Sequence, residues 1–355
     1  MTRALPEPVD NLGELEGYHS PQVPVEVRLN TNESPYPPPP DFVAALAGAV
    51  ADTAYHRYPD RGYRALRTAL AELHGVSPDQ VFCANGSNEV LQTLFFTYGG
   101  AGRTAALFEP TYAMHSQIAL VTGTALVVGQ RDDEFLLPRD EVRRIIEKSA
   151  PDLTFLCSPN NPTGRIEPKD LVADVLELAP GLVVVDEAYG QFASWSALSM
   201  IEDDVPLVVI RTYSKTWSMA GMRLGYLVGP RAVVAELDKR VLPYHLDTVK
   251  QAAGRLALAF TDDMESRVTA LVSERERLAA ALAVLPVKAW PSEANFILFR
   301  PLEQPGDEVW QALVERSVLV RNCDTWPRLQ GCLRVTIGTP EEDDRFLSAL
   351  TDVLS

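Results

Sequence analysis

The sequence predicts an α/β protein: a large domain built on a mostly parallel sheet between helices, and a smaller α+β domain. Three observations carry this. From Asp41 to Gly229 short apolar runs alternate with stretches of helical periodicity, the pattern of a parallel sheet covered on both faces. Polar clusters follow several of those runs, where ligands of such sheets bind. After Gly229 the character changes to long helical stretches and a short mixed tail.

Taken in order, residues 1–40 read as irregular, an arm laid over the surface that ends in the rigid run Pro37 to Pro40, which cannot be helix. Helical periodicity appears at 42–54 and 64–74. A strand at 81–84 breaks at Asn85-Gly86 and leads into a helix to about Tyr98. Strands follow near 105–109, 124–129, 153–157, 182–186 and 207–211, with helices near 112–121, 138–149 and 168–179. Residues 230–285 read as largely helical with a break at Pro243. Strands near 287–290, 294–299, 318–321 and 332–337 and helices near 306–316 and 340–353 complete the chain. The expected division is an arm and small-domain segment over 1–40, a large domain over 41–245 and a small domain over 246–355.

Composition narrows the function. With 355 residues and 46% hydrophobic content the chain can bury a large core. Its net charge of -16 and the lack of any long basic tract argue against nucleic acid or an anionic membrane surface as partner. No apolar run reaches the roughly 18 residues of a spanning helix. The first residues lack a signal pattern. Cys83, Cys157, Cys323 and Cys332 are scattered without metal spacing, so a reducing, cytoplasmic setting is expected. His19, His56, His74, His115 and His245 form no metal pattern and read as surface or packing residues.

Four clusters carry chemistry. Asn85-Gly-Ser-Asn-Glu89 lies between strand and helix; Gly86 permits a tight turn, and the free N–H groups around Ser87 and Asn88 suit a phosphate. Taken alone, an ordinary strand-to-helix turn is the simpler explanation of it. Ser158-Pro-Asn-Asn-Pro-Thr-Gly164 is a stiffened loop presenting Asn161, whose amide can donate to a phenolate-type oxygen, or serve the turn itself. Asp186 ends the apolar run Leu182-Val-Val-Val185, and a carboxylate there needs a partner. A pyridinium nitrogen is one and a helix cap another. Tyr189 can reach the same phenolate oxygen as Asn161. Lys215 sits in Tyr213-Ser-Lys215, a polar turn between two apolar runs, where its amine fits a Schiff base with pyridoxal 5'-phosphate. Ser214 and Arg223 flank it and can close the phosphate site, arginine through its paired donors. Tyr112 either stacks on a flat cofactor ring or packs on the sheet. In the tail, alternation about Leu333 and Val335 puts Arg334 on the other face with Cys332 and Thr336. Arg334, and Arg321 at the end of Val318-Leu-Val-Arg321, either bind an anionic group or form surface ion pairs.

These motifs, in this order, resemble the fold-type I pyridoxal-phosphate aminotransferases, and among them most the histidinol-phosphate aminotransferase family. The likeness runs from about Leu29 to the last helix. Its strings include Leu29-Asn-Thr-Asn-Glu-Ser-Pro35, Arg57-Tyr-Pro-Asp60, Asp186-Glu-Ala-Tyr189, Pro243-Tyr244, Ala294-Asn-Phe-Ile297 and Gly331-Cys-Leu-Arg-Val-Thr-Ile-Gly338. The resemblance implies a homodimer in which Tyr58 reaches the cofactor phosphate of the neighbouring subunit. It implies that Tyr18, Asn32 and Tyr244 lie near the substrate and that Arg321 and Arg334 take its anionic end. An amino donor and a 2-oxo acid would be the partners. The run Ser34-Pro-Tyr-Pro-Pro-Pro-Pro40 departs from the family's usual asparagine-proline and glycine-proline sequence, beside the expected substrate site. Other readings are an aminotransferase of aromatic or other amino acids, and a related decarboxylase of a phosphorylated amino acid.

Overall fold

The computed structural model describes residues 22–355; Tyr18 lies outside them. Two sheets organise the chain. The larger has seven strands: β2 (Val81–Ala84), β3 (Thr104–Glu109), β4 (Ala125–Gln130), β5 (Leu153–Cys157), β6 (Leu182–Asp186), β7 (Leu207–Thr212) and β8 (Gly225–Val228). Their order is β2-β8-β7-β6-β5-β3-β4. The run from β7 to β4 is parallel, and β8 is antiparallel to both its neighbours. Every residue of β5, β6, β7 and β8 is buried, which is why these strands read as continuous apolar runs rather than alternating ones.

Helices α3 (Ser87–Tyr98), α4 (Ala113–Thr122) and α7 (Arg231–Arg240) accompany one apolar cluster of this sheet, around Phe82, Leu94, Phe155 and Leu237. Helices α5 (Arg139–Ser149) and α6 (Lys169–Leu178) accompany another, around Phe108, Ile146, Val172 and Val185. α2 (Arg64–His74) and α8 (Thr248–Ala257) pack near the β2–β8 edge with Leu66, Leu70, Trp217 and Leu224. The α5 sequence shows the underlying pattern: Val142, Ile145 and Ile146 are its buried residues, one face at helical spacing.

The smaller sheet has five strands, β1 (Val27–Leu29), β9 (Val287–Ala289), β10 (Phe296–Pro301), β11 (Val318–Asn322) and β12 (Leu333–Thr336), in the order β1-β11-β12-β10-β9. Its core joins Phe296, Phe299, Val320 and Val335 to Leu278 of α9 (Thr261–Leu282), Leu313 of α10 (Gly306–Glu315) and Phe346 of α11 (Pro340–Leu354).

Two expectations for the first forty residues are corrected. Val27–Leu29 is not irregular: it pairs in parallel with Val318–Val320, and a strand of three residues is too short to show a period. Nor is Pro40 outside helix. It opens α1 (Pro40–Ala51), where a missing N–H removes no intrahelical bond and the fixed φ suits the first turn. The remaining element boundaries fall within about three residues of the expectations.

Candidate active site

The C-terminal ends of β5, β6 and β7, the start of α3 and the segment after β1 enclose a cavity of about 340 Å³. Ser87, Asn88, Tyr112, Asn161, Asp186, Tyr189, Ser214, Lys215, Arg223, Asn32 and Arg334 all line it. The structure thus brings together residues that were read separately along the chain.

At one end is the turn from β2 into α3. Gly86 holds φ +86, and a Cβ there would stand 2.7 Å from Arg223 Nη2. Gly225 is equally confined, its notional Cβ lying 2.3 Å from the Ser87 nitrogen. No side chain caps α3, so the first N–H groups of the helix have no intrahelical acceptor. Arg223 Nη1 donates to Ser214 Oγ at 3.3 Å and to the Ala220 carbonyl at 3.2 Å. Glu89 and the His245 carbonyl fix Asn85 beside the turn. Backbone amides, two hydroxyls and a guanidinium converge, as an anion of phosphate size requires.

Asp186 ends β6 in register with Cys157 of β5. It is 2% exposed. Its Oδ1 accepts from the Ala188 N–H at 3.1 Å, and its Oδ2 lies 3.1 Å from His115 Nε2. His115 corrects the expectation of an ordinary histidine: it is fully buried and bears on the carboxylate. The available signal was its position on α4, three residues after Tyr112, on the face turned to the sheet. Tyr112 itself lines the cavity, donates to Asn88 Oδ1 at 3.1 Å and meets His115 edge-to-face.

Across from Asp186, Arg334 Nη1 donates to Asn161 Oδ1, and Nη2 to the Asn30 carbonyl. That fixes the Asn161 amide with its NH₂ available as donor. Tyr189 accepts at its hydroxyl from Asn32 Nδ2 at 2.9 Å, which leaves its own proton to donate. Burial pushes that phenol up to about 12, with Arg334 opposing the rise, so Tyr189 keeps its proton at neutral pH.

Lys215 Nζ donates to the Thr31 carbonyl at 3.1 Å and stands 5.7 Å from the centre of the Tyr189 ring. Desolvation lowers its amine to about 8; Arg334 and Arg223 act in the same direction and Glu33 against it. A lysine so placed is close to a neutral nucleophile at physiological pH.

Besides Gly86 of the turn, Tyr58, Tyr244 and Arg321 are not among the lining residues. Tyr58 is 80% exposed and stacks on Tyr244 with ring centres 4.4 Å apart. Arg321 is buried and faces Arg334 across the β11–β12 ladder. Trp326 lines the cavity beside Arg334, and its ring centre lies 5.3 Å from the Arg321 guanidinium and 5.8 Å from that of Arg334. Trp326, Thr31, Glu33 and Cys157 also line the cavity. Trp326 was not singled out, because it lies in a loop with neither period nor motif. Leu333 and Val335 do face the core, and the alternation of β12 puts Arg334 on the site face.

The fold and this site define a class of cofactor-dependent transferase. The chain belongs to the aminotransferase class I and II family, whose model matches residues 24–350. A histidinol-phosphate aminotransferase of Frankia casuarinae is 45% identical, over 98% of this chain and 90% of its own length. That of Streptomyces avermitilis is 44% identical, over 97% and 95%. Among solved structures, histidinol-phosphate aminotransferase from Sinorhizobium meliloti in complex with pyridoxal-5'-phosphate superposes with a TM-score of 0.90 at 22% identity, over 99% of this chain and 98% of that one. L-threonine-O-3-phosphate decarboxylase from Porphyromonas gingivalis gives 0.80 at 19%, over 93% and 99%. At these identities the structures speak for the fold, fold-type I.

Proposed function

We propose that the chain is a pyridoxal-phosphate-dependent histidinol-phosphate aminotransferase, passing the amino group to 2-oxoglutarate in histidine biosynthesis. The observation that carries the reading is the convergence on one cavity of a lysine amine, a phosphate cradle, a buried carboxylate and Arg334. The residues fit the cofactor: Gly86 leaves the room beside Arg223 that a Cβ would fill, and Asp186 sets a buried acidic side chain at the cavity wall. The name shared by relatives at 41–45% identity over nearly the full chain supplies the substrate.

Ser87, Asn88, Ser214 and Arg223 would hold the cofactor phosphate, with Tyr58 of a second subunit completing that end. Asp186, held by His115, would be the partner of the ring nitrogen. Asn161 and Tyr189 would donate to the phenolic oxygen, and Tyr112 would pack on the ring. When bound, pyridoxal phosphate supplies an electron sink for the bond electrons released at the substrate's α-carbon. Lys215 Nζ, whose amine burial lowers to about 8, would take the α-proton of the donor, hold it as an ammonium and later give it up, acting as base and then acid. Arg334 and Arg321 hold the anionic end of the donor, and of the 2-oxo acid in the second half-reaction. Asn32 and Tyr244 border the donor, and Tyr18 joins them by resemblance.

The assembly is a cytoplasmic homodimer. Tyr55, Tyr58, Leu242 and Tyr244 support this as exposed apolar side chains, three of them aromatic, gathered on the segments around residues 58 and 243. No helix among the described residues is long and apolar enough to cross a membrane. The division near residue 245 stays part of this proposal, with α8, which packs with α2 at the β2–β8 edge, attached to the larger sheet.

The deciding experiment is a half-reaction screen. Histidinol phosphate, phenylalanine, glutamate and phosphothreonine are each mixed with the protein while the visible band of the cofactor is followed. Histidinol phosphate and glutamate should convert it. Conversion by phenylalanine but not histidinol phosphate would overturn the substrate, and release of carbon dioxide from phosphothreonine would overturn the reaction.

A further inference from the structure

A second cleft, of about 320 Å³, opens where the smaller sheet meets the loop after β4. Lys288 of β9 and Arg300 of β10 line it, and they are direct cross-strand partners. Like charges so placed repel each other across the ladder. Both stand over the ring of the buried Trp290, Lys288 Nζ at 5.0 Å and the Arg300 guanidinium at 5.5 Å from its centre. A third cation, Arg328, lines the same cleft from the β11–β12 loop.

The counter-charges are few. Lys288 pairs with Glu134 at 2.6 Å, and both partners are about half exposed. Arg328 meets Asp133 at 3.1 Å and the Arg131 carbonyl. Asp133 is a fully exposed side chain, so it competes weakly against a bound anion. No carboxylate forms an ion pair with Arg300 among the described residues, and its Nε is buried without a partner. In a chain of net charge -16, three converging cations are a local reversal of the field, and such a cleft gathers anions.

We infer that this cleft is a binding site for a small dianion of the phosphate class, free or as an ester, held by Arg300, Lys288 and Arg328 on the Trp290 platform. It lies outside the cavity assigned above and does not depend on that assignment. Its walls come from both sides of the molecule: Asp133 from the loop after β4, the cations from the smaller sheet and its loop. Arg328 shares that loop with Trp326, which lines the main cavity. An anion seated here therefore tightens the seam between the two sheets next to the substrate end.

The test is calorimetric titration of the cofactor-loaded protein with inorganic phosphate and, separately, glycerol 3-phosphate, at low ionic strength. One site per chain should survive Arg334→Gln, which removes the guanidinium that lines the anion end of the main cavity. The same site should weaken at least about tenfold in the Lys288→Gln/Arg300→Gln double variant, whose losses are charge-assisted hydrogen bonds. Asp133→Asn removes the one carboxylate of the cleft wall and should tighten binding about threefold, a gain that misfolding cannot produce. The tighter of the two titrants identifies the form of phosphate. Turnover without added phosphate should stay within about twofold in the double variant, since neither side chain lines the main cavity. The inference fails if the double variant binds phosphate as the parent does, if Asp133→Asn leaves affinity unchanged, or if chloride at equal ionic strength displaces the ligand fully.

Discussion

Arg334 holds Asn161: its guanidinium donates to the Asn161 side-chain oxygen while also bonding the Asn30 carbonyl. The group assigned to the substrate's anion thus sets the amide assigned to the cofactor's phenolic oxygen. Arg334→Lys keeps the charge but loses the fork that makes both contacts. The expected outcome is a KM for either substrate raised about tenfold or more, together with a shifted pH midpoint of the cofactor's visible band. A raised KM with an unmoved midpoint would show that the two roles are separate.

In the cofactor-free protein Lys215 should titrate near 8. Above that pH the amine is neutral and nucleophilic; below it the ammonium is inert. Labelling of Lys215 by trinitrobenzenesulfonate, read by peptide mapping, should be half-maximal near pH 8, whereas exposed lysines follow the ordinary value near 10.4. The shift comes first from burial and then from Arg334, so Arg334→Gln should move the midpoint upward. A Lys215 midpoint equal to that of the surface lysines would remove the argument for a primed amine.

His115→Leu leaves Asp186 Oδ2 without its neighbour in a fully buried setting. Loss of one partner from a buried charge is costly. Cofactor affinity should fall by about tenfold or more, and the spectral titration of bound cofactor should move. His115→Asn, which can donate at a similar position, should recover part of both. Equal affinity in the leucine variant would make His115 mere packing.

Gly86→Ala sets a methyl 2.7 Å from Arg223 Nη2 and forces a side chain at φ +86. The guanidinium must swing away from the phosphate cradle. The variant should lose about 1 kcal/mol of stability or more from the strained backbone, seen in thermal melts, and bind pyridoxal phosphate at least about tenfold more weakly while binding unphosphorylated pyridoxal almost unchanged. A uniform loss for both would point to general disruption.

Much of the site was legible because parallel strands place their loops at one edge. Asp186 and Asn161 each follow a run of buried residues, so the ends of β5 and β6 could be read from apolar length alone. Lys215 was legible as a charge between two such runs. His115 and Trp326 were not. A histidine on a buried helix face looks like packing until the carboxylate beneath it is located, and a loop tryptophan gains meaning only when the strands flanking it bring Arg321 opposite Arg334. Val27–Leu29 escaped for another reason: its partner is nearly the whole chain away, and local pattern carries no trace of so distant a pairing.

That distance bears on how the molecule is made. Val27 pairs with Val318 and the Glu26 N–H bonds Ser317, a separation of 291 residues. At ribosomal speeds of about 5–20 residues per second, β1 waits roughly 15 to 60 s for its neighbour to be synthesised. Thr31 and Asn32, which bond Lys215 and Tyr189, follow directly on that strand. The seven-stranded sheet can be complete while one wall of its cavity is still unanchored. A newborn chain therefore carries Lys215 before it carries the means to enclose it, and enclosure waits until β11 has been made.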